Sequence, residues 1–232
     1  MTPTNQGSIR LFRVFGITVF LHWSWFVVAV MLYQGSLGVF SETHYSSPIW
    51  NIYAYLGLFF IVLLHEFGHS LSCRQVGGQA EQIVLWPLGG VAYVSPPQRP
   101  GATLWCIAAG PLVNVALVPV FMLTEKIANG NPAIPHDVVH LVRHLMGINF
   151  GLLIFNILPV YPLDGGQILR ALLWFAIGPV KSLFAATTVG FVGVAALGAL
   201  ALYLGHIWIG IMAFFMFVSC RAAWRHARAM SL

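Results

Sequence analysis

Six apolar runs separated by short polar stretches make up most of the chain. They cover approximately residues 14–40, 49–72, 102–123, 138–158, 183–204 and 207–220. A transmembrane helix needs about 20 predominantly apolar residues, and most of these runs reach that length. The first run is too long for a signal-peptide core and no small-residue cleavage site follows it, so we expect a retained span. The pattern therefore predicts an all-α polytopic membrane protein with six transmembrane helices.

A shorter apolar stretch, residues 83–94, follows the second predicted span and has a different character. It is too short to cross a bilayer, and it combines β-branched and aromatic residues with Pro87 and the pair Gly89 and Gly90. These residue types favour extended or hairpin backbone. Such backbone at membrane depth must be buried in protein or line a wet cavity. We therefore expect a short membrane-associated β-hairpin or re-entrant insert after the second helix.

The fourth apolar run is interrupted near its end. Pro159 and Pro162 precede Asp164 and two glycines, and the apolar pattern resumes over residues 167–177. Because proline inside a helix removes a backbone hydrogen bond, this pattern predicts a broken helix with Asp164 at the break.

The composition identifies lipid as the main solvent of the chain. Of its 232 residues, 59% are hydrophobic and 7% are charged, with a mean hydropathy of +0.83, whereas soluble domains carry about 25% charged residues. This length allows a single membrane-embedded domain, residues 1–232. The net charge of +5 does not indicate nucleic acid, because the basic residues are dispersed at loop ends, where they suit lipid headgroups. The three cysteines lack C-x-x-C spacing and are interpreted as free thiols.

Two histidines and a glutamate lie near the end of the second apolar run, where ionisable groups are costly. The sequence His65-Glu66-Phe67-Gly68-His69 places the histidines four residues apart, on one face of a helix. Both rings can therefore bind one metal ion, while Glu66 lies one step round the helix, within reach of a water molecule bound to that ion. This H-E-x-x-H spacing is the pattern of zinc hydrolases.

The distribution of Lys and Arg predicts the orientation. With six spans and both termini on one side, nine of the 11 basic residues lie on that side, and only Lys126 and Arg143 lie on the other. Cytoplasmic loops carry the excess of positive charge. We therefore expect cytoplasmic N- and C-termini in a bacterial or archaeal cell membrane, with His65 and Glu66 toward the cytoplasmic half.

A catalytic zinc ion takes three protein ligands and keeps one open position, so a third ligand is needed. Asp164 has the same predicted depth as His65 and lies among helix-breaking residues. The other acidic residues fall in loops on the opposite side or at a surface turn, namely Glu42, Glu125, Asp137 and Glu81. Asp164 is therefore the best candidate for the third ligand, and a buried hydrogen-bonded His–Asp pair without metal is the alternative.

Three motifs are spread over most of the chain. They are His65-Glu66-Phe67-Gly68-His69, then Gly110-Pro111-Leu112-Val113-Asn114, then Asn156-Ile157-Leu158-Pro159 leading to Leu163-Asp164-Gly165. Over residues 10–220, the chain thereby resembles the site-2 protease family, intramembrane zinc metalloproteases of peptidase family M50. The resemblance implies a catalytic core over about residues 50–177, Asp164 as third ligand, and one zinc ion per chain. It also implies zinc metalloendopeptidase activity on a single-span membrane protein, often a membrane-tethered regulator.

Two departures from the family pattern concern additional domains. No PDZ-type insert lies between the predicted spans, and no tandem of CBS domains follows Cys220. Two interpretations stay open, a compact family member and a chain that has been trimmed.

Further residues have expected roles in catalysis, substrate binding or gating. Glu66 is the general base that takes a proton from water and delivers it to the leaving amine. Asn156 either stabilises the oxyanion or substrate, or forms a helix–helix hydrogen bond; Asn114 is assigned a structural role. The Gly89, Gly90 and Val91 edge can hold an unwound substrate by strand addition. His22 in the first predicted span is either an interfacial residue or part of a gate.

Three other functions compete with the site-2 protease interpretation. A membrane metal transporter or metal-binding channel would need ligands through the whole depth, whereas these cluster at one level. A metalloprotease class with a downstream glutamate ligand is disfavoured, because no glutamate follows Glu125. A catalytically silent scaffold is disfavoured by the intact His65, Glu66 and His69. The expected partners are the lipid bilayer and the substrate; the oligomeric state and any inhibitory or regulatory membrane partner are not determined by the sequence.

Overall fold

The computed structural model describes residues 7–27, 30, 45–86 and 89–231. Within them the chain is mostly helical and carries one small sheet. The elements in chain order are β1 (Ser8–Val14), β2 (Ile17–His22), α1 (Ile49–Gln75), β3 (Gln79–Trp86), β4 (Gly89–Ser95), α2 (Pro100–Gly130), α3 (His136–Ile157), α4 (Asp164–Leu204) and α5 (Ile207–Met230). The sequence predicts an all-α protein with one short hairpin; the described residues instead form a sheet of four strands beside the helices.

Four helices, α1 to α4, are long and apolar enough to cross a membrane, judged by length and composition over the described residues. Large apolar side chains such as Ile154, Phe175 and Val192 are exposed on them, as expected where lipid is the solvent. Prolines mark several helix starts, because Pro48 and Pro135 precede α1 and α3 and Pro100 is the first residue of α2. The chain is an integral membrane protein.

The start of the first predicted span is wrong. Residues 8–22 form the antiparallel hairpin β1–β2, which turns at Phe15 and Gly16, both with positive φ. Ile17 and Val19 alternate with less buried neighbours and are themselves fully buried, so a strand with one face in a core is formed where a continuous apolar run suggested a membrane helix. The predicted span also includes residues 28, 29 and 31–40, which lie outside the described residues.

The predicted hairpin after the second helix is confirmed, and it belongs to a larger sheet. The strand order is β1-β2-β3-β4, with β2 and β3 parallel and the other two pairs antiparallel. One face of the sheet packs on α1, where a buried cluster joins both elements: Ile17, Val19, Trp25, Val62, Leu63, Ile83 and Leu85. This packing holds β4 beside the part of α1 that carries the histidines.

The predicted break near Asp164 is present, but the helix beyond it is longer than predicted. Helix α3 ends at Ile157, residues 158–163 are not helical, and α4 begins at Asp164 itself. The fifth predicted span, starting at residue 183, is part of the same 41-residue helix. Gly178 takes a φ of 79° before Pro179, so this pair produces a kink where the sequence suggested a loop.

Candidate metal centre

Helix α1 supplies His65, Glu66 and His69 from its last turns. All three are buried, with 3%, 5% and 5% of their surfaces exposed. The helix lies very close to α2 here, because a Cβ on Gly68 would come within 2.7 Å of the Ala109 carbonyl oxygen. The absence of a side chain at Gly68 thus allows the histidine-bearing turns to be covered by α2.

Asp164 joins the two histidines from the first residue of α4. Its Oδ2 lies 3.1 Å from His65 Nε2 and 3.4 Å from His69 Nε2. The two Nε2 atoms are 3.1 Å apart, and the three residues form the one group of potential metal ligands within the described part of the chain. The structure therefore brings together the three residues that the sequence selected.

The outer nitrogen of each histidine has a partner that fixes the ring. His65 Nδ1 lies 2.6 Å from Asn114 Oδ1, and His69 Nδ1 lies 2.9 Å from the Cys106 carbonyl oxygen. Carbonyl oxygens only accept hydrogen bonds, so each Nδ1 carries the proton and donates it. The lone pairs of both Nε2 atoms then face Asp164, as in metal sites where an outer hydrogen bond sets the tautomer.

The arrangement fits a zinc ion. With both protons on Nδ1, the short contacts to Asp164 are not hydrogen bonds, and its buried Oδ2 has no hydrogen-bond partner among the described residues. Two nitrogen lone pairs and a carboxylate oxygen that face each other in a buried site repel unless a cation lies between them. Two histidines and one carboxylate form a ligand set of catalytic zinc.

Gly110 on α2 keeps space free beside these atoms. A Cβ at this position would collide with His69 Nε2 and lie 2.9 Å from His65 Nε2. Any larger residue would therefore occupy the region onto which both ring nitrogens open. This observation independently supports a site that must accommodate a further group.

Glu66 lies outside the ligand group and contacts the sheet. Its Oε2 accepts a hydrogen bond of 2.9 Å from the backbone N–H of Ala92 in β4. A Cβ on Gly90 would overlap the Glu66 side chain, so the backbone of β4 passes directly over it. The sheet thus orients the carboxylate next to the ligands without adding it to them.

The three predicted edge residues belong to β4. Gly89, Gly90 and Val91 pair with Trp86, Leu85 and Val84 of β3, in that order. Among the described strands β4 has no neighbour on its other side, because it ends the sheet. The predicted edge therefore exists and lies against Glu66.

The two remaining candidates, Asn156 and His22, make no hydrogen bond or ion pair with the ligand group among the described residues. Asn156 is half-buried in the last turn of α3, and its side chain makes no hydrogen bond within the described residues. His22 does not lie in a membrane helix as predicted; it ends β2 and stacks on Trp86 with ring centroids 3.7 Å apart. Neither belongs to the ligand group found in the described part of the chain.

Sequence reasoning missed several groups that surround the site. Asn114 was assigned only a structural role, but it hydrogen-bonds His65 directly, and Asn149 in turn bonds Asn114. One signal was available, since Gly110 and Asn114 are four residues apart on α2, the same spacing as the two histidines. The Ala92 N–H and the Cys106 carbonyl are backbone groups, so the residue type at these positions does not indicate their contacts.

The fold and the site together define a class of protein. Two histidines and a carboxylate converge beside an unligated glutamate, within helices of membrane-spanning length, which is the arrangement of a membrane zinc metalloprotease. The family model of peptidase family M50 matches residues 53–130 and 118–200, more than half of the chain. The chain belongs to peptidase family M50, and the resemblance to site-2 proteases is confirmed.

Individual relatives agree with this assignment. The chain is 34% identical to the zinc metalloprotease MJ0392 of Methanocaldococcus jannaschii over 187 residues, 79% of this chain and 50% of that protein. It is 33% identical to stage IV sporulation protein FB of Bacillus subtilis over 119 residues, 50% of this chain and 38% of that protein. The chain thus spans about half the length, or less, of these relatives.

A solved structure matches over almost its entire length. The site-2 protease from Methanocaldococcus jannaschii is 27% identical, with a TM-score of 0.63, and the match covers 94% of this chain and 95% of that one. The structural likeness therefore extends over almost the whole length of both chains.

Proposed function

We propose that this chain is an intramembrane zinc metalloprotease that hydrolyses a peptide bond in or near the transmembrane segment of a single-span membrane protein. The observation that carries the proposal is the convergence of His65, His69 and Asp164 beside Glu66. These four groups lie in helices suited to a membrane, so the chemistry that they serve belongs there. A single-span membrane protein is the proposed substrate, because its transmembrane segment lies in the same bilayer as the site.

The residues have distinct roles in this reaction. His65, His69 and Asp164 would hold zinc, which supplies Lewis-acid polarisation of the scissile carbonyl and lowers the pKa of a water to about 7. Glu66 accepts a proton from the attacking water and later donates it to the leaving amine. The Ala92 hydrogen bond to Oε2 holds the carboxylate in position, and Oε1 is the oxygen proposed to take that proton. Asn156 is assigned to the oxyanion or the substrate backbone.

Removal of zinc is the direct test of this function. Purified protein in liposomes should cleave a single-span reporter, and a chelator should abolish the cleavage, because no other group present replaces the Lewis acid. Addition of Zn²⁺ should restore the activity, measured as the amount of cleaved reporter on a gel. Cleavage that persists after the bound metal is shown to be gone would overturn the proposal.

The outer edge of β4 is proposed to hold the substrate. A helical substrate hides its amides in its own hydrogen bonds and must unwind before attack. Ala92 donates its N–H to Glu66. The register irregularity of the ladder lies in β3 between Ala80 and Gln82, not in β4. The alternation along β4 therefore also turns the N–H groups of Gly90 and Val94 outward. An unwound segment paired with them by strand addition would lie beside Glu66. His22, stacked on Trp86 near this hairpin, is proposed to control access.

Proline substitution tests this edge. Val94→Pro removes one outward N–H and leaves the ladder to β3 intact, whereas Val91→Pro also disturbs the ladder. We expect both to reduce reporter cleavage, by about tenfold or more for the loss of a strand-pairing hydrogen bond and the steric block beside it. Val94→Ala is the matched control, since it shortens the side chain and keeps the N–H. Equal cleavage by Val94→Pro and Val94→Ala would refute strand addition here.

We also propose six membrane spans, two more than the four described helices that are long and apolar enough to cross a membrane. The six proposed spans include α5 and the first predicted span; residues 25–27 of that span are helical, and its residues 28, 29 and 31–40 lie outside the described residues. The excess of Lys and Arg supports cytoplasmic termini in a bacterial or archaeal cell membrane. With this orientation water reaches Glu66 from the cytoplasmic half. Residues 50–177 are the proposed catalytic core of one membrane-embedded domain.

A further inference from the structure

Two fully buried asparagines connect α3 to the metal centre. We propose that Asn149 is a positioning residue for zinc binding: it fixes the amide of Asn114, which in turn fixes the tautomer of His65. This inference rests on the proposed function, because it assumes that His65 binds zinc through Nε2. It gives α3 a part in metal binding although none of its residues belongs to the ligand group.

Three hydrogen bonds connect Asn149 to His65 through Asn114. Asn149 Nδ2 donates to the backbone oxygen of Asn114 at 2.9 Å, and Asn149 Oδ1 accepts from Asn114 Nδ2 at 2.8 Å. Asn114 Oδ1 then accepts from His65 Nδ1 at 2.6 Å. Both asparagines have 0% of their surface exposed, so water does not compete for these groups.

The donor and the acceptor of each of these three hydrogen bonds follow from the first acceptor, the backbone carbonyl of Asn114. The backbone carbonyl of Asn114 can only accept, so the group of Asn149 that faces it must be the NH₂ group. The Asn149 oxygen must then face Asn114, which therefore presents its own NH₂ group to Asn149 and its oxygen to His65. An acceptor opposite Nδ1 requires a proton there, so Nε2 keeps its lone pair.

Without Asn149 the orientation of the Asn114 amide is no longer fixed. A free Asn114 amide can rotate by half a turn and present its NH₂ group to His65 Nδ1, which favours the tautomer protonated at Nε2. That proton would point at Asp164 Oδ2, 3.1 Å away, and occupy the lone pair that a metal needs. Buried polar groups of this kind are costly when their hydrogen bonds are only partly made. Asn114 and Asn149 therefore have a role beyond filling space between the helices.

Two substitutions of nearly equal size separate hydrogen bonding from packing. Asn149→Leu fills the same space without polar groups, whereas Asn149→Asp in its protonated form accepts from Asn114 Nδ2 and donates to the Asn114 carbonyl. We expect zinc affinity, measured by chelator competition, to fall about tenfold in Asn149→Leu, the lower end of the range for outer partners of metal ligands. Asn149→Asp should stay within about threefold of wild type, as hydrogen-bond rescue requires.

A second readout reports the ligand geometry directly. The visible absorption spectrum of the Co²⁺-substituted protein should change in Asn149→Leu and be restored in Asn149→Asp. Thr187→Val is the matched control, because Thr187 is also fully buried but bonds only carbonyls of its own helix. It should leave the zinc affinity and the cobalt spectrum unchanged.

A double-mutant comparison keeps the test valid if Asn149→Leu lowers the yield of folded protein. In an Asn114→Ala background, Asn149→Leu should cause no further loss of zinc affinity, because Asn149 acts on His65 only through Asn114. Equal affinities in Asn149→Leu and wild type, equal losses in the Leu and Asp variants, or additive losses in the double variant would each overturn the inference. A wild-type protein that binds no zinc, or binds zinc and cleaves nothing, would instead refute the proposed function.

Discussion

Glu66→Gln is expected to abolish reporter cleavage while zinc stays bound. Glutamine has the same size, and its oxygen can still accept the Ala92 hydrogen bond, but it cannot take a proton from water. General acid–base catalysis contributes about 10²- to 10⁴-fold, so the cleavage rate should fall by that factor. The measurements are the rate of reporter cleavage in liposomes and the zinc content per chain.

Glu81→Gln is the control for this variant. Glu81 is an exposed glutamate on β3 and the next acidic residue along the chain, so its substitution should leave cleavage unchanged. Loss of zinc in Glu66→Gln would mean that Glu66 is a ligand, and undiminished cleavage would mean that another group is the base. A wild-type protein that moves metal ions across liposomes and cleaves nothing would favour a transporter instead.

The ligand group could be predicted from the sequence because its constraints are local or strongly energetic. His65 and His69 follow from helical spacing, and Asp164 follows from the cost of an isolated carboxylate at the same membrane depth. The hairpin of β3 and β4 was likewise signalled by its length and by Pro87, Gly89 and Gly90. Where chemistry is costly in lipid, a sequence restricts the possible partners.

The β1–β2 hairpin could not be predicted for the opposite reason. Residues 14–22 are mostly apolar, with Thr18 and His22 as the polar positions, and an apolar run has the same appearance whether it faces lipid or a core. The alternation of Ile17 and Val19 is recognisable only once their burial against α1 is known. At Gly178 and Pro179 the sequence indicated an end of a helix, but two helical segments continue across the kink.

The environment of the ligands depends on contacts between distant segments. Asn114 and Asn149 are 35 residues apart, and no local pattern connects them. The Cys106 carbonyl and the Ala92 N–H belong to the backbone, so their contacts with His69 and Glu66 arise only from the packing of α2 and β4 on α1. The sequence thus indicates the candidate reacting groups, and the fold determines their orientation.

Gly110→Ala is expected to abolish zinc binding and cleavage together. Alanine usually stabilises a helix relative to glycine, but here the new methyl group would collide with His69 Nε2 and lie 2.9 Å from His65 Nε2. Because both ligand rings must move, zinc affinity should fall by about 100-fold or more, at least the loss caused by an outer partner. Gly151→Ala on α3, with no atom within 4 Å of the new Cβ, should retain wild-type affinity in the same chelator competition. Normal zinc binding in Gly110→Ala would show that α2 can shift away from the histidines, and the space beside their Nε2 atoms would then not be a requirement of the site.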